Sequence, residues 1–434
     1  MTFQSSIADN AYGDSFITSF KNIECESDNP IDCIEKLKQG IVGHLITQGN
    51  KAINLQETPP LFKSYQKLIT AKENSDNPKL YVKLLNEALE IDPNYFEPKV
   101  LKLSYYYNEG EYEVADSFLS LVKLSTSNNK RQKNLLNFYE ALLDGNNKKI
   151  YDYLFKEYLL NPFELAMLVN ALQYANKPEE AESIFNEIPS RDIEFANCIE
   201  CTYRVYMMAR ADIELEQYDN AIALLNTTME TSDYFGFKKS LVSAYIRTNK
   251  TELLNEFLPK FELTLTINEL MDLYMYIGKE YLLQNNFEQV AIYFNNIVDS
   301  NNASPAQKAT TNYYLGNYKA AEELFALLII DGSEIDSSVL SKMAVTVNKL
   351  GDKDESLEFL RLLDLERNDY QYGSINYYFA QYYASINNEL LAIKHLQKVV
   401  AASCQFEDDT FQNDPHFSTL SKNKELLAIL NFWN

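Results

Sequence analysis

The sequence predicts an all-α protein built from repeated helical hairpins, a solenoid of about ten degenerate units. Three observations carry this expectation. Glycine and proline are scarce, twelve of each in 434 residues, too few for the turns of an all-β or α/β chain. Apolar residues recur at helical spacing rather than in alternation. One pattern of residue classes also returns about every 35 residues along the chain.

The first 55 residues do not repeat. Asp14–Ile23 alternates roughly and reads as a strand. Asp28-Asn29-Pro30 then opens a helix over Ile31–Thr47, with Ile34, Leu37, Ile41 and Leu45 expected on one apolar face. Asn54–Pro60 is a break, and Pro60 is suited to the start of a new helix, where its missing N–H costs nothing.

Residues 56–404 carry the repeat. Its clearest copy is YIGKEYLLQNNFEQVAIYF, Tyr276–Phe294. A first helix runs through Tyr274, Ile277, Gly278 and Tyr281. Gln284–Asn286 forms a turn, and a second helix follows through Phe287, Val290, Phe294 and Ile297. A glycine inside a helix costs about 1 kcal/mol relative to alanine, so Gly278 marks a place where the two helices approach closely. Ala344 and Ala380 fall at the same place in their own copies. A small residue, or its stand-in, recurs in the second helix at Tyr81, Ala115, Ile150, Ala181, Ala221, Leu254, Val290, Ala321, Ser356 and Ala392. These ten positions are spaced by about 34.6 residues on average. A single hairpin cannot bury its own apolar face, whereas stacked hairpins share a continuous core. Residues 405–434 end the array. Asp414-Pro415-His416-Phe417 and Leu420, then Leu426 and Leu430, read as a turn and a capping helix.

This pattern resembles the tetratricopeptide (TPR) repeat: large, then Gly/Ala, then Tyr on helix A, and aromatic, Ala, large on helix B. The resemblance covers roughly residues 60–404 and implies a right-handed superhelix whose A helices line the inner face. The order of segments also looks like the C-terminal TPR array of bacterial signalling proteins, in which a kinase, cyclase or transcription-regulator output domain precedes the repeats. The matching stretches are Asn29–Leu37, Glu57–Pro59 and Ala88–Tyr95. No such output domain is visible in this chain.

Composition narrows the function. A formal net charge of −23 repels phosphate backbones, which argues against nucleic acid as partner. The five cysteines, Cys25, Cys33, Cys198, Cys201 and Cys404, are too sparse for a disulfide framework and suit a reducing, cytoplasmic setting. No apolar run is long enough to span a bilayer, so no membrane insertion is expected. Cys198 and Cys201 form a CxxC with no second ligand pair, and read as core fillers rather than a metal or redox site. His44, His395 and His416 are scattered and select no catalytic set. The chain therefore reads as a non-enzyme, without metal or cofactor, that binds a protein or peptide partner.

If A helices line the inner face, residues one, two and five places after the Tyr274 position point into it. The candidates for partner binding are Tyr206, Arg210, Lys239, Tyr276, Lys279, Lys342, Tyr377, Tyr378 and Gln381. Tyrosines supply contact area at low entropic cost, and Lys/Arg hold carboxylates. The family's carboxylate clamp is not reproduced, since no Asn follows Lys239 at the clamp spacing. Chaperone-tail recognition of that kind is not expected. The leading expectation is an interaction scaffold, and the alternative is the sensor array of a signalling protein.

Overall fold

A computed structural model describes residues 2–3, 6–9, 16–19, 22–24, 30–47, 60–125, 130–160, 166–187, 199–330, 336–367, 370, 373–400, 402 and 404–431. The chain divides into two compact units, one comprising residues 1–143 and 153–162, the other 144–152 and 163–434.

The first unit begins with four short strands. β1 (Thr2–Phe3) pairs antiparallel with β4 (Ile23–Glu24), and β2 (Ser6–Asp9) pairs antiparallel with β3 (Phe16–Ser19). The strand expected across 14–23 corresponds to β3. The other three strands are two to four residues long, too short for alternation to reveal. α1 (Pro30–Thr47) follows. Its expected apolar face is not the buried one: Ile34 and Leu45 are more than half exposed, and Cys33 is sealed instead. Cys33 is also disulfide-bonded. That departs from the expected set of reduced thiols, because such bonds persist mainly in oxidising compartments.

The repeats are then laid down as helix pairs: α2 (Phe62–Lys72) with α3 (Pro78–Ile91), α4 (Phe96–Asn108) with α5 (Tyr112–Ser125), and α6 (Lys130–Leu143) leading to α7 (Asn147–Leu160), within which the two units divide. In the second unit follow α8 (Ala166–Gln173) with α9 (Pro178–Glu187), α10 (Ile199–Glu214) with α11 (Tyr218–Thr228), and α12 (Phe235–Arg247) with α13 (Thr251–Thr264). α14 (Ile267–Leu283) pairs with α15 (Phe287–Val298), α16 (Pro305–Tyr314) with α17 (Tyr318–Ile330), α18 (Ser337–Leu350) with α19 (Lys353–Leu365), and α20 (Ser374–Ser385) with α21 (Glu389–Val400). The all-α hairpin array of TPR type is thus present. Each of the ten small-residue positions is the fourth residue of its B helix. Nine of them are buried, and Tyr81 is partly exposed.

The turns repeat as regularly as the helices. The left-handed residues Gly110, Gly145, Asn176, Glu216, Asn249, Asn285, Gly316, Gly351 and Asn387 close nine successive A helices. Asn285 shows the mechanism. Its N–H donates to the Leu282 carbonyl at 3.0 Å, and the next N–H, of Asn286, donates to the Tyr281 carbonyl at 2.9 Å. These bonds satisfy carbonyls that the helix end would otherwise orphan. Asn286 then caps α15 by accepting from the Gln289 N–H. The polar pair at 285–286 is therefore the hairpin turn itself.

Gly278 is the close-approach position. A Cβ built there would fall inside the ring of Phe294, which is fully buried. Gly278→Ala should therefore destabilise the second unit by about 1–3 kcal/mol through overpacking, against the roughly 1 kcal/mol that alanine gains as a helix former. Urea melts of the two proteins decide it, and an alanine variant as stable as the parent would refute the packing account.

Among the described residues no helix is long and apolar enough to cross a membrane, and no group of His, Cys, Asp or Glu is placed to hold a metal ion. Cys198 and the Cys201 side chain lie outside the described residues.

Candidate interaction face

The candidate site lies wholly in the second unit, on the face made by its A helices. α10, α12, α14, α16, α18 and α20 stand side by side there, with α10 against α12 and α12 against α14. The sequence left this face open to a partner. In the structure it is covered by the chain's own C-terminal segment. The turn after Asp414 and a final helix, α22 (Lys424–Leu430), fall where the sequence places them, but residues 405–414 form no α-helix. Residues 405–414 run across the A helices, and Pro415–Leu420 forms a 3-10 turn against α20 and α14. Asp414-Pro415 sets that turn. The Asp414 carboxylate accepts from the His416 N–H at 2.9 Å, and proline fixes the first position.

The segment is held residue by residue. The Phe406 N–H donates to the Gln173 carbonyl at 2.8 Å, and Arg210 donates to the Phe406 carbonyl at 2.7 Å. Glu407 accepts from Gln173 at 3.0 Å and lies 3.5 Å from the Arg210 guanidinium. Asp408 accepts from the Tyr206 hydroxyl at 3.0 Å and pairs with Lys239 at 2.6 Å. Asp409 pairs with Lys279 at 3.1 Å. Farther along, Asn413 bridges Glu214 and Arg247 at 2.6 and 2.8 Å, and Asp414 accepts from Tyr377 and Gln381 at 2.7 and 2.8 Å.

Six of the nine residues singled out by repeat position thus bond to this segment: Tyr206, Arg210, Lys239, Lys279, Tyr377 and Gln381. Tyr276 is buried beneath Lys239, whose ammonium sits 4.7 Å from its ring centre. Tyr378 turns toward the apolar clusters at its helix, and its carbonyl accepts from Ser341. Lys342 has no carboxylate in ion-pair range among the described residues; its nearest acceptor is the Ser338 carbonyl at 3.5 Å.

The repeat pattern missed Gln173, Glu214, Arg247 and Glu280. Glu214, Arg247 and Glu280 sit on the same A helices and Gln173 on the preceding one, α8, all outside the three offsets that the resemblance supplies. The signal available for the segment was local: Phe406 followed by three successive carboxylates, and the Asp-Pro turn.

The electrostatics follow from burial opposed by pairing. Burial raises the Asp408 carboxyl, but Lys239, Arg210 and the Tyr206 hydroxyl outweigh it and keep it below its ordinary value. Burial works against the charge of Lys279 as well, and Asp409 restores it to above the usual ammonium range. Lys342 has no such partner, so burial, aided by Lys279, brings it down to about 8. Glu407 is raised chiefly by burial.

Asp414 is buried, which by itself raises its carboxyl. The charge and hydrogen bonds of His416, with the Gln381 amide, reverse this and hold it well below the ordinary range. Its folded value lies below the unfolded value of about 3.9. The stabilisation is therefore fully present above that pH and is lost as the pH falls toward the folded value. Asp414→Asn should lower the melting temperature at neutral pH and flatten its decline below about pH 4. Parallel acid limbs for variant and parent in thermal melts would contradict this.

The geometry defines a TPR-like helical-hairpin protein whose inner face is filled from within. No family model matches the chain, and no curated protein does. Solved structures similar to it include a tetratricopeptide repeat protein from Parabacteroides merdae, with 15% identity over 68% of this chain and 98% of that one and a TM-score of 0.34. Yeast Tom70 shows 15% identity over 92% and 81%, TM-score 0.31. The APC/C assembly Cut9-Hcn1 shows 12% over 93% and 82%, TM-score 0.30. Superposition at this level carries no argument, and the class rests on the ten hairpins and their turns.

Proposed function

We propose that the protein is a non-catalytic interaction scaffold that takes a polypeptide partner on the A-helix face of its second unit. One observation supports the reading: this face already holds a stretch of chain with no α-helix, using Arg210, Lys239 and Lys279 from the successive A helices α10, α12 and α14, and Tyr377 from α20. Such a row reads a short chain that turns on itself at 407–410, with polar anchors for its side chains and an arginine for its backbone. An opening of about 270 Å³ remains beside Asp409, lined by Phe235, Lys239, Asp272, Met275, Tyr276 and Lys279.

The test uses the full chain. Met275→Glu/Lys342→Gln alters that opening and the unpaired cation without removing any contact to the chain's own segment. Partners crosslinked to the parent and released by the double variant, at equal melting temperature, are the expected result. Equal recovery by both proteins would sink the reading.

A further inference from the structure

The C-terminal segment is two structures in one. From Phe411 onward it belongs to the apolar core. Phe411, Phe417, Leu420 and Leu426 are each at most 2% exposed and pack with α20 and α21. Residues 405–410 are held differently. Phe406 joins that same core by stacking on Phe411, but it is their only buried apolar side chain, and the remaining anchorage is polar. The Glu407 and Asp409 side chains stay 35% and 38% exposed while they pair with Arg210 and Lys279. Water reaches both pairs from the carboxylate side, while Arg210 and Lys279 stay largely buried. The boundary between the halves is strained: Phe411, a bulky residue, stands at φ +47°.

Charge gives the second observation. The protein is strongly acidic, yet Arg210, Lys239, Lys279 and Lys342 converge on this one face, and three acidic residues of the chain itself cover three of them. Among the described residues, Lys342 has no carboxylate in ion-pair range. Lifting residues 405–410 would expose a basic strip with an aromatic socket at one end and a spare ammonium at the other.

We propose that residues 405–410 are a displaceable internal ligand, and that the partner is a protein bearing an exposed acidic turn, an aromatic residue followed by successive carboxylates. This rests on the reading of the A-helix face as the partner site and names the chemistry that it accepts. The partner segment pairs with the same cations and adds a carboxylate for Lys342, which the internal copy does not reach. Tethering gives the internal copy a high effective concentration, so a free peptide competes poorly until the internal contacts are weakened.

The probe is a fluorescein-labelled peptide of sequence QFEDDTFQND, residues 405–414, titrated by anisotropy into the full chain. Asp408→Asn/Asp409→Asn should bind it at least tenfold more tightly than the parent does. Adding Lys239→Glu to that variant should abolish binding, and QFKKKTFQND should not bind. A folded Asp408→Asn/Asp409→Asn variant that binds no better than the parent overturns the proposal. Hydrogen exchange on the unmodified protein tests it without any substitution. The amides of 406–410 should exchange at least tenfold faster than those of the α20 interior; equal protection overturns displacement. These outcomes are independent of partner recovery by Met275→Glu/Lys342→Gln, which tests the face itself.

Discussion

Arg247→Met is expected to destabilise the second unit by about 3–5 kcal/mol, whereas Arg247→Met/Glu280→Met recovers most of that loss. Glu280 lies on α14 and is 1% exposed. Its two oxygens accept from the Arg247 Nε and Nη2, each at 2.9 Å. This fork satisfies a carboxylate that water does not reach. Removing only the arginine leaves a buried charge with no counterion, which is the costly case. Removing both leaves an apolar patch of similar volume, which is near neutral. Arg247 also donates to Asn413, so the single variant loosens the C-terminal segment as well. Urea denaturation of the parent, the two single variants and the double variant gives the coupling energy directly. A single substitution costing under about 1 kcal/mol would show that Glu280 finds another partner.

The second large effect is at Phe411. Its ring stacks on Phe406 with centroids 4.4 Å apart and meets Tyr377 edge-on at 5.4 Å. Its N–H donates to the Tyr377 hydroxyl at 3.0 Å. Truncating a buried phenylalanine costs about 3–5 kcal/mol, and Phe411→Ala should fall in that range. The left-handed backbone adds a second expectation. A left-handed conformation costs an L-residue roughly 1–2 kcal/mol, and glycine is free of that cost. Alanine loses the packing and keeps the strain, while glycine loses the packing and relieves the strain. Phe411→Gly should therefore be the more stable of the two by about 1 kcal/mol, the reverse of their usual order within a helix. Thermal melts compare the variants, and an alanine variant more stable than the glycine one would rule out strain at this position.

Much of the architecture was legible because its causes are local. The period of the small residues marks the fourth position of every B helix, and glycine or asparagine marks most of the left-handed turns. Glu216 is the one turn residue with neither advantage, and its turn forms anyway because the helices on either side require it. The helix face was legible too: inner positions such as Arg210, Lys239 and Lys279 follow from repeat offsets alone. The burial of Ile34 was misread because periodicity identifies an apolar stripe without saying which of its members finds a neighbour.

What covers the face was not legible. Asp408 meets Tyr206 across 202 residues of chain, and Asp409 meets Lys279 across 130. A carboxylate run and a row of cations each look like solvated surface in sequence, and no local rule brings them together. By itself, the sequence determined the hairpin, its period, its turns and the direction in which each A helix presents its side chains, because these follow from helix geometry and backbone preference within a few residues. Only the tertiary structure decided that residues 405–414 fold back as the face's own ligand. That choice depends on burying Phe406, Phe411 and Phe417 while matching Glu407, Asp408 and Asp409 to cations from separate repeats, a complementarity that exists only once the repeats are stacked.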